Sequence, residues 1–321
     1  MSGAQRAILG VQTAREVRAW LARHVRDHLG AGVDSVLFTA GDIGAVFGLR
    51  LTDEREVVLK ALRPGAKAER LRTVVRAQNI LASAGFGCAR VIDGPSETGG
   101  VLAVIEERLT CTSTGSPHDP AARAAMATGL AAQIDVLRGF DGTELGTSPP
   151  AWSVWNAGAW PTPHDPIFDF SSPVPGFEWV DETADAAATI LRATDHAPGV
   201  VGHSDWVWQN VCIQSGRFVA GYDWDSLIHA PEPVVVGLCA GAFTQGSPIP
   251  PDAPTAQEVA AFLDDYERVR AFSPAERRTA EAAVTWVRCY NARCQLDNLY
   301  RREMEPPTGS FIEALTATRA S

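Results

Sequence analysis

Three polar residues stand at intervals that could do chemistry together: Asp205, Asn210 five positions on, and Asp223 thirteen further. A carboxylate can orient a hydroxyl. An amide oxygen and a second carboxylate can hold a hard divalent cation such as Mg2+. These are the groups that phosphoryl transfer from a nucleoside triphosphate to an alcohol requires. Asp205 is assigned the acceptor hydroxyl, because aiming outweighs basicity in a loose transition state. Asn210 and Asp223 are assigned the metal. His203 is read as a prop for the loop, since a general-base role for it would leave Asp205 without a task. Isolated Asp and Asn residues often only cap helices or turns. Here residues 200–202 read as a strand entering the loop, and 211–214 with 218–222 read as a hairpin turned at Ser215-Gly216.

The lysine count gives a second lead. The chain has 28 Lys and Arg residues, and only Lys60 and Lys67 are Lys. An arginine-rich chain that keeps Lys60 inside Val57-Val58-Leu59-Lys60-Ala61-Leu62 suggests a need for a compact ammonium. Such a group reaches between nucleotide phosphates where a planar guanidinium fits poorly. A strand lysine placed by chance is the plainer alternative, and Lys67 fits it. Upstream, Gly41-Asp42-Ile43-Gly44 is a glycine-rich turn whose backbone N–H groups could approach phosphates, so Gly41 and Gly44 are assigned there. The same turn would serve an ordinary hairpin.

The elements that must position these groups follow from pattern. Thr13 caps a helix that puts Val17, Trp20, Leu21, Val25 and Leu29 on one face. Strands are predicted over 34–39, 45–51 and 56–62, a helix over 68–84, and short strands over 90–93 and 101–107. Residues 111–119, rich in Ser, Thr, Gly and Pro, read as a passage between domains. Helices are expected over 121–137, 181–196, 232–242 and 256–269. Residues 141–177 read as loop. Ser273-Pro274-Ala275-Glu276 is a capping box opening a helix to about residue 302. The expected division is 1–108, a sheet with helices that binds nucleotide, and 109–321, mostly helical, with the catalytic loop, the metal site and the substrate region.

Composition limits the partners. A formal charge of −10 opposes nucleic acid, which needs a basic footprint, and suits a cationic small molecule better. The longest apolar run, 234–243, is about half of the ~20 residues a membrane span needs. Residues 1–11 lack the basic head and apolar run of an export signal. The six cysteines show no metal or C-x-x-C spacing and read as buried thiols, so the expected location is the cytoplasm.

His203-Ser204-Asp205 through Asn210, with the later Asp223-Trp224, resembles the aminoglycoside phosphotransferase family of the protein-kinase-like superfamily. Val-Val-Leu-Lys at 57–60 resembles the lysine strand of kinases. The resemblance runs from about residue 36 to 243. It implies an α+β, two-lobed kinase-like fold and an ATP- or GTP-dependent O-phosphotransferase with Mg2+ as cofactor. The implied acceptor is a small molecule with hydroxyls and an amine: an aminoglycoside, amino sugar or amino alcohol. A role in antibiotic resistance and one in metabolism both stay open. The chain departs from the family at Ser204, which replaces a Gly, and at the insert Trp206-Val207-Trp208-Gln209. It also lacks the Glu that kinases place on the next helix to pair with the lysine. That Glu would fall near 74–76, and Glu69 is the nearest acid.

Acceptor recognition is assigned to Asp225, Trp206, Trp208, Glu232, Asp264 and Asp265, each of which is as readily core packing or a solvated helix charge. Two other classes compete with the kinase reading. One is a nucleotide-binding protein of the same fold without catalysis. The other is a metal hydrolase built on His203, Asp205, Asp223 and Asp225, which would leave Lys60 unexplained.

Overall fold

Residues 45–51 and 57–61 place apolar side chains at every second position, and a sheet forms from them with two different faces. The computed structural model describes residues 3–41, 44–155, 160–194, 196–247 and 251–320. It resolves into two compact units, 1–110 and 111–321.

The first unit begins with α1 (Gly3–Leu9) and α2 (Ala14–Leu29). Thr13 and Glu16 close the capping box of α2, and Gly30 ends it in the left-handed conformation. Then come β1 (Val33–Ala40), β2 (Ala45–Leu51), β3 (Glu56–Ala61), α3 (Ala68–Ser83), β4 (Val91–Thr98) and β5 (Val101–Glu107). The strands form one antiparallel sheet in the order β1-β2-β3-β5-β4. Phe47 and Leu49 of β2, Val57 and Leu59 of β3, and Ala103 and Ile105 of β5 share a core with Val17, Trp20, Leu21 and Val25 of α2. The opposite face carries Val58, Lys60, Val104 and Glu106. Lys60 pairs across to Val104 and Val58 to Glu106. Gln78 of α3 reaches that face, where it donates to Glu106.

The second unit holds α4 (Pro120–Val136), α5 (Glu178–Arg192), β6 (Gly199–His203), β7 (Val211–Gln214), β8 (Arg217–Gly221), β9 (Leu227–Pro231), α6 (Glu232–Ala240), α7 (Ala256–Glu267), α8 (Pro274–Arg301) and α9 (Phe311–Ala320). β7 and β8 form the expected hairpin, and β6 pairs antiparallel with β9. α6 crosses α8 closely because Gly237 has no side chain: a Cβ there would lie 2.2 Å from the Ala280 carbonyl oxygen. Among the described residues, no helix is long and apolar enough to cross a membrane.

Sequence reading misses α1, β9 and α9, and it shortens β4, which runs on to Thr98. It places the helix before the catalytic stretch late; α5 starts at Glu178. The cysteine expectation needs correction. Cys111 and Cys212 form a disulfide, while Cys88, Cys239, Cys289 and Cys294 are buried free thiols. The two partners lie 101 residues apart, so no spacing rule announces them.

Candidate active site

β6 delivers the chain to His203, and backbone contacts then fix its path. The His203 ring is fully buried. Its Nε2 lies 2.9 Å from the Tyr222 carbonyl oxygen, and its Nδ1 lies 3.1 Å from the backbone nitrogen of Asp205. A carbonyl can only accept and an N–H can only donate. The ring is therefore neutral, with its proton on Nε2. Both nitrogens are spent on the backbone, which makes His203 the prop that the sequence suggests.

More ties converge on the same loop. Gln133 of α4, also fully buried, accepts from the His203 N–H at 3.0 Å and donates to the Val201 carbonyl at 3.2 Å. Ser204 donates its hydroxyl to the Ser226 carbonyl at 2.8 Å and accepts from the Trp152 indole at 3.1 Å. The Trp208 N–H donates to the Phe243 carbonyl, and the Tyr222 N–H to the Asn210 carbonyl. Sequence reading misses Gln133 and Trp152. A Gln inside the Ala-rich run of α4 is the signal that could have found the first.

Asn210 is buried. Its Nδ2 donates to Asp205 Oδ2 at 2.7 Å and to the Asp205 carbonyl at 3.0 Å. The amide orientation thus leaves Oδ1 as the oxygen it can offer a cation. Burial, and next the charge of Asp223, push the Asp205 carboxyl up to about 7, against the opposing hydrogen bond from Asn210. Asp223 has φ 61° and ψ 48°, left-handed for a non-glycine residue. That conformation costs about 1–2 kcal/mol and persists where the surroundings impose it. The two carboxylates repel each other, and Asn210 adds an amide oxygen. An all-oxygen donor set of this kind fits a hard divalent cation.

In the first unit Lys60 is largely buried, and its Nζ lies 3.2 Å from Glu106 Oε1. The acidic partner missing from 74–76 therefore comes from β5. Glu69 is no substitute, being exposed and paired with Arg72. Gly41 has φ +95°, and a Cβ there would meet the Gly44 carbonyl oxygen at 2.4 Å, so the turn requires a glycine. Asp42 and Ile43, between them, lie outside the described residues.

Residues 37–272 match the model of the phosphotransferase enzyme family. The chain belongs to that family. None of the curated protein sequences matches it. Among solved structures the phosphotransferase is similar to an amicoumacin kinase solved with AMP-PNP, Ca2+ and Ami, at 12% identity and a TM-score of 0.58, with 96% of this chain and 94% of that one covered. An aminoglycoside phosphotransferase from Alicyclobacillus acidocaldarius gives 14% identity and a TM-score of 0.54, covering 92% and 91%. A thermostable mutant of aminoglycoside phosphotransferase APH(4)-Ia, in complex with AMP-PNP and hygromycin B, gives 14% and 0.52, covering 88% and 93%. These likenesses are of fold: a mixed α/β protein with an antiparallel N-terminal sheet and a helical C-terminal region, as the sequence suggests.

The residues assigned to the acceptor are not brought together. Trp206 of the phosphotransferase is fully buried against His203, Phe218 and Trp224, and its indole N–H donates to the Met126 carbonyl at 2.9 Å. Trp208 is buried as well. Both are packing residues, the alternative reading, which corrects their assignment to the acceptor. Glu232 receives Arg138 at 3.1 Å, the Tyr266 hydroxyl at 2.6 Å, and Arg270. Asp265 is buried against Arg123 at 2.9 Å and also meets Arg268. Asp264 is paired with Arg277 at 2.9 Å. The positive partners that the acids were expected to find in a substrate are supplied by the chain's own arginines. Asp225 is exposed and lies two positions after Asp223 in the chain.

Proposed function

We propose that this phosphotransferase moves the γ-phosphoryl group of ATP or GTP to a hydroxyl of a small molecule. The observation that carries the reading is the trio of Asp205, Asn210 and Asp223, with Asn210 Nδ2 2.7 Å from Asp205 Oδ2 and the charge of Asp223 near enough to raise the Asp205 carboxyl, inside the stretch that matches the family. Asp205 accepts the hydrogen bond of the acceptor hydroxyl and aims its lone pair. Asn210 is charge-neutral and tied to Asp205 Oδ2, so it steadies that carboxylate without competing for the proton. Asn210 Oδ1 and the Asp223 carboxylate hold Mg2+, which when bound neutralises phosphate charge. Lys60 contacts the phosphates, and the turn at Gly41 and Gly44 lets backbone N–H groups approach them.

The nucleotide reading draws support from relatives of the same fold solved with AMP-PNP. A nucleotide donor of this kind suits a cytoplasmic location. An amine on the acceptor, expected from sequence, draws its support from the formal charge of −10, because Glu232, Asp264 and Asp265 are engaged by arginines.

The test is a panel of aminoglycosides, macrolides, amino sugars and amino alcohols with ATP and with GTP, scored by nucleoside diphosphate release. One member should be turned over. Asp205→Asn should lower that turnover about 100-fold or more while nucleotide affinity stays within a few fold. Full activity in Asp205→Asn would remove the residue from its role.

A further inference from the structure

Lys60 has its carboxylate partner on a neighbouring strand of its own sheet. Glu106 on β5 lies diagonally across from it, since the register matches Lys60 with Val104 and Val58 with Glu106. All four side chains stand on one face, as the two-residue period of a strand requires. Glu106 is itself buried. One of its oxygens lies 3.2 Å from the Lys60 ammonium. The other accepts from Gln78 Nε2 at 2.8 Å, and that same nitrogen also donates to the Ala89 carbonyl. The helix that could have supplied an acid supplies a neutral amide instead, with Val74, Val75 and Arg76 at the positions where the resemblance to kinases places the acid.

We infer that Glu106 is the positioning residue of the phosphate-binding lysine, with Gln78 fixing its second oxygen, so that Lys60 stays set for nucleotide whatever α3 does. The inference rests on the nucleotide reading above and adds to it the residue that makes the lysine effective. The physical basis is the difference between a ladder and a helix. A diagonal pair within a hydrogen-bonded sheet cannot separate without breaking the register. A helix packed on a sheet can shift by ångströms and carry its acid away. Here such a shift would cost the hydrogen bond from Gln78 to the Glu106 carboxylate and leave the ion pair in place. This site therefore has no on–off control through the position of its helix. A buried carboxylate that accepts from both an ammonium and an amide is also held in one orientation.

A double-mutant cycle read with two ligands tests this. Affinities for AMP-PNP with Mg2+, and for adenosine, are measured by calorimetry on the full chain. The four proteins are wild type, Lys60→Met, Glu106→Gln and the double variant. Lys60→Met should weaken AMP-PNP about tenfold in the wild-type background and less than threefold in the Glu106→Gln background. Adenosine, which has no phosphates, should bind all four alike. An equal cost of Lys60→Met in both backgrounds overturns the assignment. So does an equal loss for adenosine, which would make Glu106 a residue of the fold only. If Glu106→Gln does not fold, Gln78→Leu replaces it in the cycle. The cost of Lys60→Met should then fall at least twofold, and an unchanged cost again overturns the inference. Failure of the wild-type chain to bind AMP-PNP at all would sink the nucleotide reading itself, and this assignment with it.

Discussion

Asp223 carries two burdens at once, a charge and a left-handed backbone, and substitution can separate them. Asn removes the charge yet tolerates the conformation, whereas Ala loses both. Asp223→Ala should therefore be less stable than Asp223→Asn by about 1 kcal/mol in denaturant unfolding. Neither variant should show the extra thermal stabilisation that Mg2+ adds to ATP in the wild type. A preserved Mg2+ increment in Asp223→Asn would take the metal away from this residue. Lys60→Arg keeps the charge but not the shape, so the KM for ATP should rise several-fold and kcat should fall; unchanged constants would count against the phosphate contact. The trio was legible in sequence because its spacing is local and its elements are short. Glu106 was not, because a diagonal pair depends on the register between β3 and β5, which no one-dimensional pattern specifies. The acids on the C-terminal helices misled for a related reason: Arg138, Arg270 and Arg123 reach them from segments 94, 38 and 142 residues away.

Between residue and whole molecule, α4 does more than fill a core. Gln133 binds β6 on both sides of Gly202, and Met126 takes the Trp206 indole. This one helix thus holds the loop both before and after Asp205. Gln133→Leu would leave a buried N–H and a buried carbonyl without that amide, at a cost of about 1–3 kcal/mol for each group left unsatisfied. The measurable outcome is an unfolding midpoint lowered by several degrees. Turnover should fall more than fraction folded explains, because the loop loses its anchor. Activity that merely tracks the folded fraction would reduce Gln133 to a core residue. At this scale the sequence spoke clearly where local chemistry decides. The cap at Thr13, the capping box at Ser273 and the strands β2 and β3 all appear where expected. It was silent on β9, Leu-Ile-His-Ala-Pro, because five residues broken by a His and leading straight into α6 are too few to show a period of their own. Only pairing with β6, more than twenty residues upstream, makes it a strand.

For the molecule as a whole, two linked equilibria give direct readings. The disulfide between Cys111 and Cys212 closes a long loop, so the chain denatured without reductant should titrate four thiols; six would mean that both cysteines are free. The other reading is pH. His24 is buried in the first unit, with Nδ1 2.7 Å from the Thr98 hydroxyl and Nε2 3.3 Å from that of Ser96. Its ring stacks on Trp20 and tilts against His28. Burial first, and then the charge of His28, lower its pKa to about 4, against the opposing pull of Asp93 and Asp27. Because the folded value lies below the unfolded one, near 6.5, the unfolded chain binds the extra proton between those limits. Stability from this residue is complete above about pH 6.5 and drains away as pH falls towards 4. His28 and Asp93 stand beside this ring, so the wild-type slope alone would not isolate His24. The comparison is with His24→Gln, which keeps polar atoms for Thr98 and Ser96 but cannot take up a proton. Between pH 7.5 and 4.5 the wild type should lose more stability than the variant, with a slope difference approaching one proton. Parallel curves for the two proteins would show that the ring charges as readily in the fold as in the open chain. The packing of α2 on β4 would then not exclude the charged ring.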